Sequence, residues 1–380
     1  MIGIWDIKKA RLVYWGLFLL IIKNFFDVSD IIPYTDTLDN AISVCILLIF
    51  CMVMIKEKYS LKYLIIYLLV SMIALYSAYI TGYKIIVVTV LTILAIRQES
   101  INEVAKFIFG WKVLLLSINT ILAFLLAIVD LADIGGYFEE GTRFRIHFGY
   151  GLPGHFADYV LDLIVLWVWI NFKNIKKSDY IKLFFVTLVT YICTDSRTVF
   201  AVSLLLIVGV FLIKKTRKID WLLRLTSSLI VPLLTAFMFC MIWLFAEKNV
   251  FAYIVDSLLN TRVRLNGYSL EQFGITWFGQ NCMPVSNSYS MTWISNGGAF
   301  DNVYMWLCIN MGIIWLILIA VCFYFLASKR QPIINLLIIV WALGAMTDTD
   351  FLNGVRSFSI LLITLIFTSK RDIGKSIEGQ

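Results

Sequence analysis

Histidine and arginine are concentrated in one polar stretch of this chain, from Thr142 to Asp162. His147 and His155 are its only two histidines, and they flank a turn rich in glycine and proline. Imidazole titrates near neutral pH, so either histidine could serve as a general base toward a hydroxyl group. Arg143 and Arg145 come just before the turn, and a guanidinium can bind phosphate or carboxylate through two parallel hydrogen bonds. The stretch therefore predicts a base placed beside an anionic ligand.

The loops between the apolar segments form two alternating sets, and four further arginines lie in the same set as Arg143 and Arg145: Arg197, Arg262, Arg264 and Arg356. Together with Arg143 and Arg145 they make six of the eight basic residues in one set of loops, whereas the alternate loops carry 22 basic residues, mostly lysine. Lysine is sufficient to orient a membrane protein, and arginine is favoured where a planar fork must bind an anion. The arginine set therefore predicts an anion-binding surface. The alternative is a scatter of rim residues paired with acids.

Two aspartates follow the turn at helical spacing. His155, Asp158 and Asp162 occupy positions i, i+3 and i+7, which share one helix face, and Asp158 is a further candidate for the base. Asp162 would lie about 13 Å along the helix, where a charge costs at least about 2.5–3.5 kcal/mol. We therefore expect it to have a polar partner or to face a polar cavity. Asp301 and Asn302 begin another apolar segment. Asp301 is a further candidate site residue, and the simple alternative is that these two residues cap the N-terminus of a helix.

The composition indicates that a bilayer surrounds most of the chain. Of the 380 residues, 61% are hydrophobic and 15% are charged, against about 45–50% and about 25% in soluble domains. The apolar runs are long and do not alternate, which favours helices over a barrel. Twelve apolar segments are predicted, at about 12–26, 38–55, 61–80, 83–96, 105–129, 153–172, 181–194, 198–213, 222–246, 302–326, 333–347 and 357–369. The expected fold is an all-α, polytopic bundle of about 12 spans.

The charges of the loops predict the topology. The loops with 22 basic residues belong on the cytoplasmic side, which places both termini there as well. Residues 1–246 would then hold nine spans with an external loop at 130–152, and residues 302–380 would hold three spans and a cytoplasmic tail. Residues 247–301 would form a large extracytoplasmic loop. Apolar residues of that loop recur at helical spacing from Val250, and we expect one amphipathic helix that carries Arg262 on the face of Ile254 and Leu258.

Several kinds of site are not indicated by the sequence. The seven cysteines and two histidines show no zinc-like spacing, and there is no glycine-rich nucleotide fingerprint. We therefore expect no metal and no cofactor. The formal net charge of +7 is accounted for by the lysines of the cytoplasmic loops, so nucleic acid is not an expected partner.

The chain resembles the Wzy-type polysaccharide polymerases of the O-antigen polymerase and ligase superfamily. The overall plan, about a dozen spans with one large late loop, resembles theirs along nearly the whole chain. The segments that carry the resemblance are R-F-R-I-H-F-G-Y-G-L-P-G-H-F-A-D at 143–158, D-S-R at 195–197, N-T-R-V-R-L-N-G-Y at 260–268, W-F-G-Q-N at 277–281 and D-N-V-Y-M-W-L-C-I-N-M-G at 301–312.

The resemblance implies a metal-independent, inverting glycosyltransferase with a GT-C-like fold in the bacterial cytoplasmic membrane. Its substrate would be an oligosaccharide linked to undecaprenyl diphosphate, and its partners would be membrane lipids and a protein that regulates chain length. Arg143, Arg197 and Arg262 would bind the diphosphate, with Arg145, Arg264 and Arg356 as further candidates. The base would be His147, His155 or Asp158, and the residues leave this choice open.

Two other functions fit part of the pattern. A ligase of the same superfamily would move finished glycan to a different acceptor. A flippase for lipid-linked oligosaccharides would also have many spans, but it should scatter charge through a central cavity and keep its loops short. In this chain the arginines gather in one set of loops, which favours a polymerase.

Overall fold

The helices of the protein follow its apolar segments. Lipid offers no hydrogen-bond partner to backbone N–H and C=O groups, so each apolar segment must satisfy them internally by forming a helix. The computed structural model describes residues 4–56, 61–131, 133–138, 143–282 and 302–367. Within these ranges, each of the twelve predicted segments coincides with helical structure.

In chain order, the elements are α1 (Ile4–Val28), α2 (Asp36–Ile55), α3 (Leu61–Thr81), α4 (Ile85–Ile96), α5 (Ile101–Ile128), β1 (Gly135–Phe138), β2 (Arg143–Ile146), α6 (Pro153–Asn171), α7 (Lys177–Thr194), α8 (Arg197–Lys215), a 3₁₀ turn (Arg217–Ile219), α9 (Asp220–Ala246), α10 (Val250–Leu258), α11 (Arg262–Phe273), α12 (Val303–Trp306), a π-helical segment (Leu307–Gly312), α13 (Ile313–Ala327), α14 (Pro332–Gly344), a 3₁₀ turn (Thr349–Leu352), α15 (Phe358–Leu361) and a final 3₁₀ segment (Leu362–Phe367).

Seven helices in the described ranges are long and apolar enough to cross a membrane. They are α2, α3, α5, α6, α8, α9 and the continuous run Val303–Ala327. Three shorter apolar helices are Ile85–Ile96, Pro332–Gly344 and Phe358–Phe367. The helices α1 and α7 also coincide with predicted segments, but each carries three or more charged residues. The protein is thus an all-α, polytopic membrane protein.

The first of two units comprises Met1–Lys58, Leu91–Lys215 and Gly354–Gln380. Its central helix is α6, which packs against α5, α7, α8 and α15 and is buried along most of its length. It begins at Pro153, as the sequence predicted, because proline suits the first turn of a helix. The helix α1 packs against α2 and α5.

The second unit comprises Tyr59–Val90 and Thr216–Asn353. Its central helix is α9, which packs against α10, α11, α12, α13 and α14. The predicted amphipathic helix is present as α10, with Val250, Phe251 and Ile254 exposed along it.

The prediction that this helix continues to Arg262 is wrong. It ends at Leu258, and the chain then turns through Asn260 and Thr261, whose φ angles are +51° and +64°. Arg262 is therefore the first residue of a separate helix, α11, and does not extend the apolar face of α10.

Candidate functional site

A β-hairpin precedes the glycine-rich turn and was not expected in an all-α chain. Strand β1 pairs antiparallel with β2, with Gly136 opposite Arg145 and Phe138 opposite Arg143. The alternation of charged and apolar residues in β2 has the two-residue period of a strand, which is the signal that could have predicted it. The hairpin brings Arg145 directly before the turn; the side chain of Arg143 lies outside the described part of the structure.

The turn that follows β2 is bound to the end of α1. Backbone N–H groups of Asp30 and Gly151 donate to the carbonyls of Gly149 and Val28, both at 3.0 Å. Gly149 has a φ of +77°, and a Cβ at this position would overlap the side chain of Ile31. Glycine is therefore required for the turn to approach α1 this closely.

The two histidines lie at either end of this turn. Among the described residues, the Nδ1 atoms of His147 and His155 are buried and have no hydrogen-bond partner. Burial lowers the pKa of His147 below its ordinary value of 6.5, while the carboxylates of Asp30 and Asp133 act in the opposite direction. A lowered pKa keeps the imidazole neutral near pH 7, which is the form that can accept a proton.

Arg145 and Arg197 both lie at the short connection between α7 and α8. The Arg145 Nη2 atom is 3.9 Å from Asp195 Oδ2, and both side chains are partly exposed. Asp195 ends α7 in the left-handed conformation, and Arg197 opens α8 with an exposed side chain. Asp195 thus contacts Arg145 and lies two residues before Arg197 in the chain.

Asp158 and Asp162 have different environments on α6. Asp158 is half-buried, whereas Asp162 is 4% exposed and pairs with Lys112 of α5, Nζ to Oδ2, at 2.7 Å. The expectation that Asp162 has a partner is confirmed. Lys112 is a residue that sequence reasoning missed, although a lone lysine in the middle of a long apolar helix was a visible signal.

Arg356, in the C-terminal segment of the first unit, contacts the end of α1. Its guanidinium pairs with Asp27 near the end of α1. Asp27 also lines an open cavity of about 390 Å³ between α1 and α2. The lining consists of Phe26, Asp27, Ser29, Asp30, Ile32, Pro33, Tyr34, Asp36 and Asp39. Four carboxylates line this cavity, and two of them pair with cations, Asp27 with Arg356 and Asp39 with Lys23.

Arg262 and Arg264 belong to the second unit. The Arg262 guanidinium donates from Nη1 to the Leu259 carbonyl at 3.1 Å and from Nη2 to the Thr347 carbonyl at 2.8 Å. It thereby ties the start of α11 to the chain beyond α14. Arg264 is exposed, and its backbone N–H donates to Asp256 Oδ1 at 2.9 Å.

The segment 277–281 is docked against the π-helical segment of the second unit. The backbone N–H of Gln280 donates to the Asn310 carbonyl at 2.8 Å, and that of Ile313 donates to the Thr276 carbonyl at 2.8 Å. Gly312 has a φ of +105°, and a Cβ there would lie 2.5 Å from the Trp277 carbonyl oxygen. These motif residues therefore have a structural role, because they hold non-helical backbone inside the protein.

Asn302 caps the N-terminus of α12, which was the simple alternative to a role in the site. Its side-chain oxygen accepts from the N–H groups of Tyr304 and Met305, and its amide donates to the Met346 carbonyl at 3.1 Å. Asp301 lies outside the described residues.

The structure brings one group of predicted residues into contact through the first unit. Arg356 pairs with Asp27, and Val28, the next residue, accepts a hydrogen bond from Gly151 of the turn. His147 begins the turn two residues after Arg145 of β2, and Arg145 lies 3.9 Å from Asp195, which precedes α8. This row, which we call the arginine–histidine row, consists of Asp27, Arg145, His147, Asp195, Arg197 and Arg356. The row combines cationic side chains with an imidazole whose pKa is lowered by burial, and binding of an anion and removal of a proton require these two kinds of group.

Known proteins add no constraint to this geometry. No cluster of histidine, cysteine, aspartate or glutamate suited to a metal ion occurs among the residues that the structure describes. No protein-family model, curated protein or solved structure matches the chain. The chemistry of the arginine–histidine row therefore carries the functional argument.

Proposed function

We propose that this protein polymerises oligosaccharide repeat units linked to undecaprenyl diphosphate into a surface polysaccharide. In this proposal it is a GT-C-like bundle of about 12 spans in the bacterial cytoplasmic membrane, with both termini cytoplasmic. The loops at 130–152 and 247–301 lie on the outer face. The observation that carries the proposal is the arginine–histidine row, at one end of a helical membrane protein that resembles Wzy-type polymerases in sequence.

The arginines of the row suit a diphosphate leaving group. As the sugar–oxygen bond to the diphosphate breaks, negative charge develops on the departing oxygen, and fixed positive groups stabilise that charge. Arg145 and Arg197 bind the diphosphate of the growing chain, with Arg143 as a further ligand, whereas Arg356 lies beside Asp27 at the cavity end of the row. Arginine is better suited than lysine because its planar fork matches two phosphate oxygens.

The histidines suit the other half of the transfer. A hydroxyl group of the incoming unit attacks the anomeric carbon of the growing chain, a new glycosidic bond forms, and the lipid diphosphate leaves with the bonding electrons. The hydroxyl proton passes to a base, for which His147 or His155 is proposed and Asp158 is the alternative. The lowered pKa of His147 supports its assignment, because a neutral imidazole is needed at this step.

We assign the carboxylate-lined cavity next to Asp27 to the saccharide side of the reaction. Its carboxylates repel a diphosphate but can accept hydrogen bonds from sugar hydroxyl groups. The rings of Phe26 and Tyr34, 5.8 Å apart, add apolar surface. We assign the diphosphate to the arginine end of the row and the acceptor sugar to the cavity end.

Deleting the gene in its bacterial host and separating the surface polysaccharide on a gel tests the proposal. Loss of a polymerase leaves products with a single repeat unit. Loss of a ligase leaves polymer on its lipid carrier, and loss of a flippase leaves neither product, so either pattern would contradict the proposal.

Complementation then tests the arginine–histidine row itself. Arg197 is exposed, so the Arg197→Gln variant is expected to fold normally and to make no polymer. The matched control is Lys218→Gln, which removes an exposed cation from the loop before α9 and is expected to restore full-length polymer. Equal polymer from both variants, at equal protein levels, would exclude Arg197 from the site.

A further inference from the structure

Lys112 and Asp162 form an ion pair deep inside the first unit. Their side chains are 2% and 4% exposed, and Nζ lies 2.7 Å from Oδ2. Lys112 lies well inside α5, about 16 Å along the helix from its first residue and about 24 Å from its last. Charges at this depth in a membrane protein are costly and are usually retained for a function.

Both groups of the pair also bind the backbone that leads into α15. Lys112 Nζ donates to the Val355 carbonyl at 3.0 Å, and Asp162 Oδ1 accepts from the Phe358 N–H at 2.6 Å. Arg356 lies between these two attachment points. Its backbone is therefore held on both sides, three residues apart, while its guanidinium pairs with Asp27.

The remaining contacts of the lysine complete a closed arrangement. The Tyr159 ring lies 4.4 Å from Lys112 Nζ, and the Tyr159 hydroxyl donates to the Lys112 carbonyl at 3.2 Å. Both carboxylate oxygens of Asp162 are hydrogen-bonded. A pair whose groups are satisfied in this way fixes geometry, because any displacement of the Val355–Phe358 segment breaks strong, charge-assisted hydrogen bonds.

We infer that Lys112 and Asp162 are positioning residues for Arg356, holding the Val355–Phe358 segment so that its guanidinium stays in the arginine–histidine row. The inference rests on the proposed function for its effect on catalysis. Its structural half, that the pair holds the segment, can be measured independently. Neither side chain of the pair is proposed to touch the substrate.

Paired substitutions separate positioning from simple stability. Lys112→Met alone leaves the Asp162 charge buried without its partner and is expected to prevent accumulation of the protein. Lys112→Met with Asp162→Leu removes both charges and releases both attachment points, and apolar replacement of a buried pair commonly permits folding. Lys112→Met with Asp162→Asn keeps an acceptor for the Phe358 N–H, so it retains one attachment point. The control is Lys106→Met, which breaks an exposed pair with Glu103 on the same helix.

Hydrogen exchange of the peptide that spans 353–361, measured on each full-length variant in lipid nanodiscs, is the first readout. Exchange should be at least about tenfold faster in the Lys112→Met, Asp162→Leu variant than in wild type, and intermediate in the Lys112→Met, Asp162→Asn variant. It should be unchanged in Lys106→Met. The reason is that each lost attachment frees backbone that is otherwise protected. If both double variants exchange like wild type, the Lys112–Asp162 pair does not hold the segment and the inference is overturned.

Polymer formation from lipid-diphosphate-linked oligosaccharide is the second readout. At equal protein amount, the rate should fall about 10²-fold in the Lys112→Met, Asp162→Leu variant and less in the Lys112→Met, Asp162→Asn variant. A small displacement of a binding group, here the Arg356 guanidinium, has an effect of that size. Fast exchange together with a wild-type rate in both paired variants would overturn the positioning role. If wild type itself forms no polymer, the proposed function fails, whereas the exchange result still decides whether the pair holds the segment.

Discussion

Replacing Arg262 tests whether this residue anchors the second unit or binds ligand. In the structure its guanidinium donates to the carbonyls of Leu259 and Thr347. A hydrogen bond from a charged donor contributes about 1.5–3 kcal/mol, and both bonds are partly exposed, so the lower value applies to each. Arg262→Ala should therefore reduce the free energy of unfolding by about 3 kcal/mol. A lysine cannot bond both carbonyls in the arginine geometry, and Arg262→Lys should recover at most about half of the loss.

The assay is thermal unfolding of the purified protein in nanodiscs, followed by tryptophan fluorescence. Arg264→Ala is the matched control, because Arg264 is an exposed arginine on the same helix, two residues away. The melting temperature should fall clearly for Arg262→Ala and stay unchanged for Arg264→Ala. Equal melting temperatures would refute the anchoring role. Wild-type stability of Arg262→Lys combined with loss of polymer would instead assign Arg262 to the diphosphate, as the sequence resemblance implies.

Three further predictions concern the base, the topology and a glycine. The polymerisation rate should fall as external pH drops through a pKa below 6.5, because burial lowers the pKa of His147 and a base must be unprotonated. Replacing both His147 and His155 by glutamine should abolish this acidic limb of the pH profile. An unchanged profile would point to Asp158 as the base. In intact cells an impermeant thiol reagent should label a Glu271→Cys variant, whereas labelling only after lysis would contradict an external loop; native Cys282 should react slowly, because burial raises its pKa to about 11. Gly312→Ala should lower the melting temperature, since strain at a positive φ costs about 1–3 kcal/mol; Gly110→Ala, at an open helical position, should not, and equal effects would argue against the docked segment.

Polar residues with local roles were also predictable. Pro153 begins α6 and Asn302 caps α12, because the first turn of a helix selects residues that need no N–H partner or that supply an acceptor. The partner of Asp162 was predictable only as a requirement. Its identity as Lys112 was not, since the two residues are on different helices and meet only when α5 packs against α6.

The arginines show where local reasoning stops. Arg262 was placed on the face of α10 by its spacing, but two residues in the left-handed conformation interrupt the helix before it. Its partner at Thr347 is 85 residues away in sequence. Likewise, Arg356 meets Asp27 across nearly the whole chain. Spacing along one helix carries no information about such contacts.

Hydropathy by itself determined the helical elements of this protein, because a segment that enters lipid must satisfy its own backbone hydrogen bonds whatever its neighbours are. The order of the twelve apolar segments and the all-α membrane class follow from that single requirement. Tertiary structure alone decided which polar groups meet: the turn at Gly149 against α1, the Lys112–Asp162 pair, and the docking of Trp277 and Gln280 on the π-helical segment. Each of these depends on the approach of segments far apart in sequence, and that approach is set by packing.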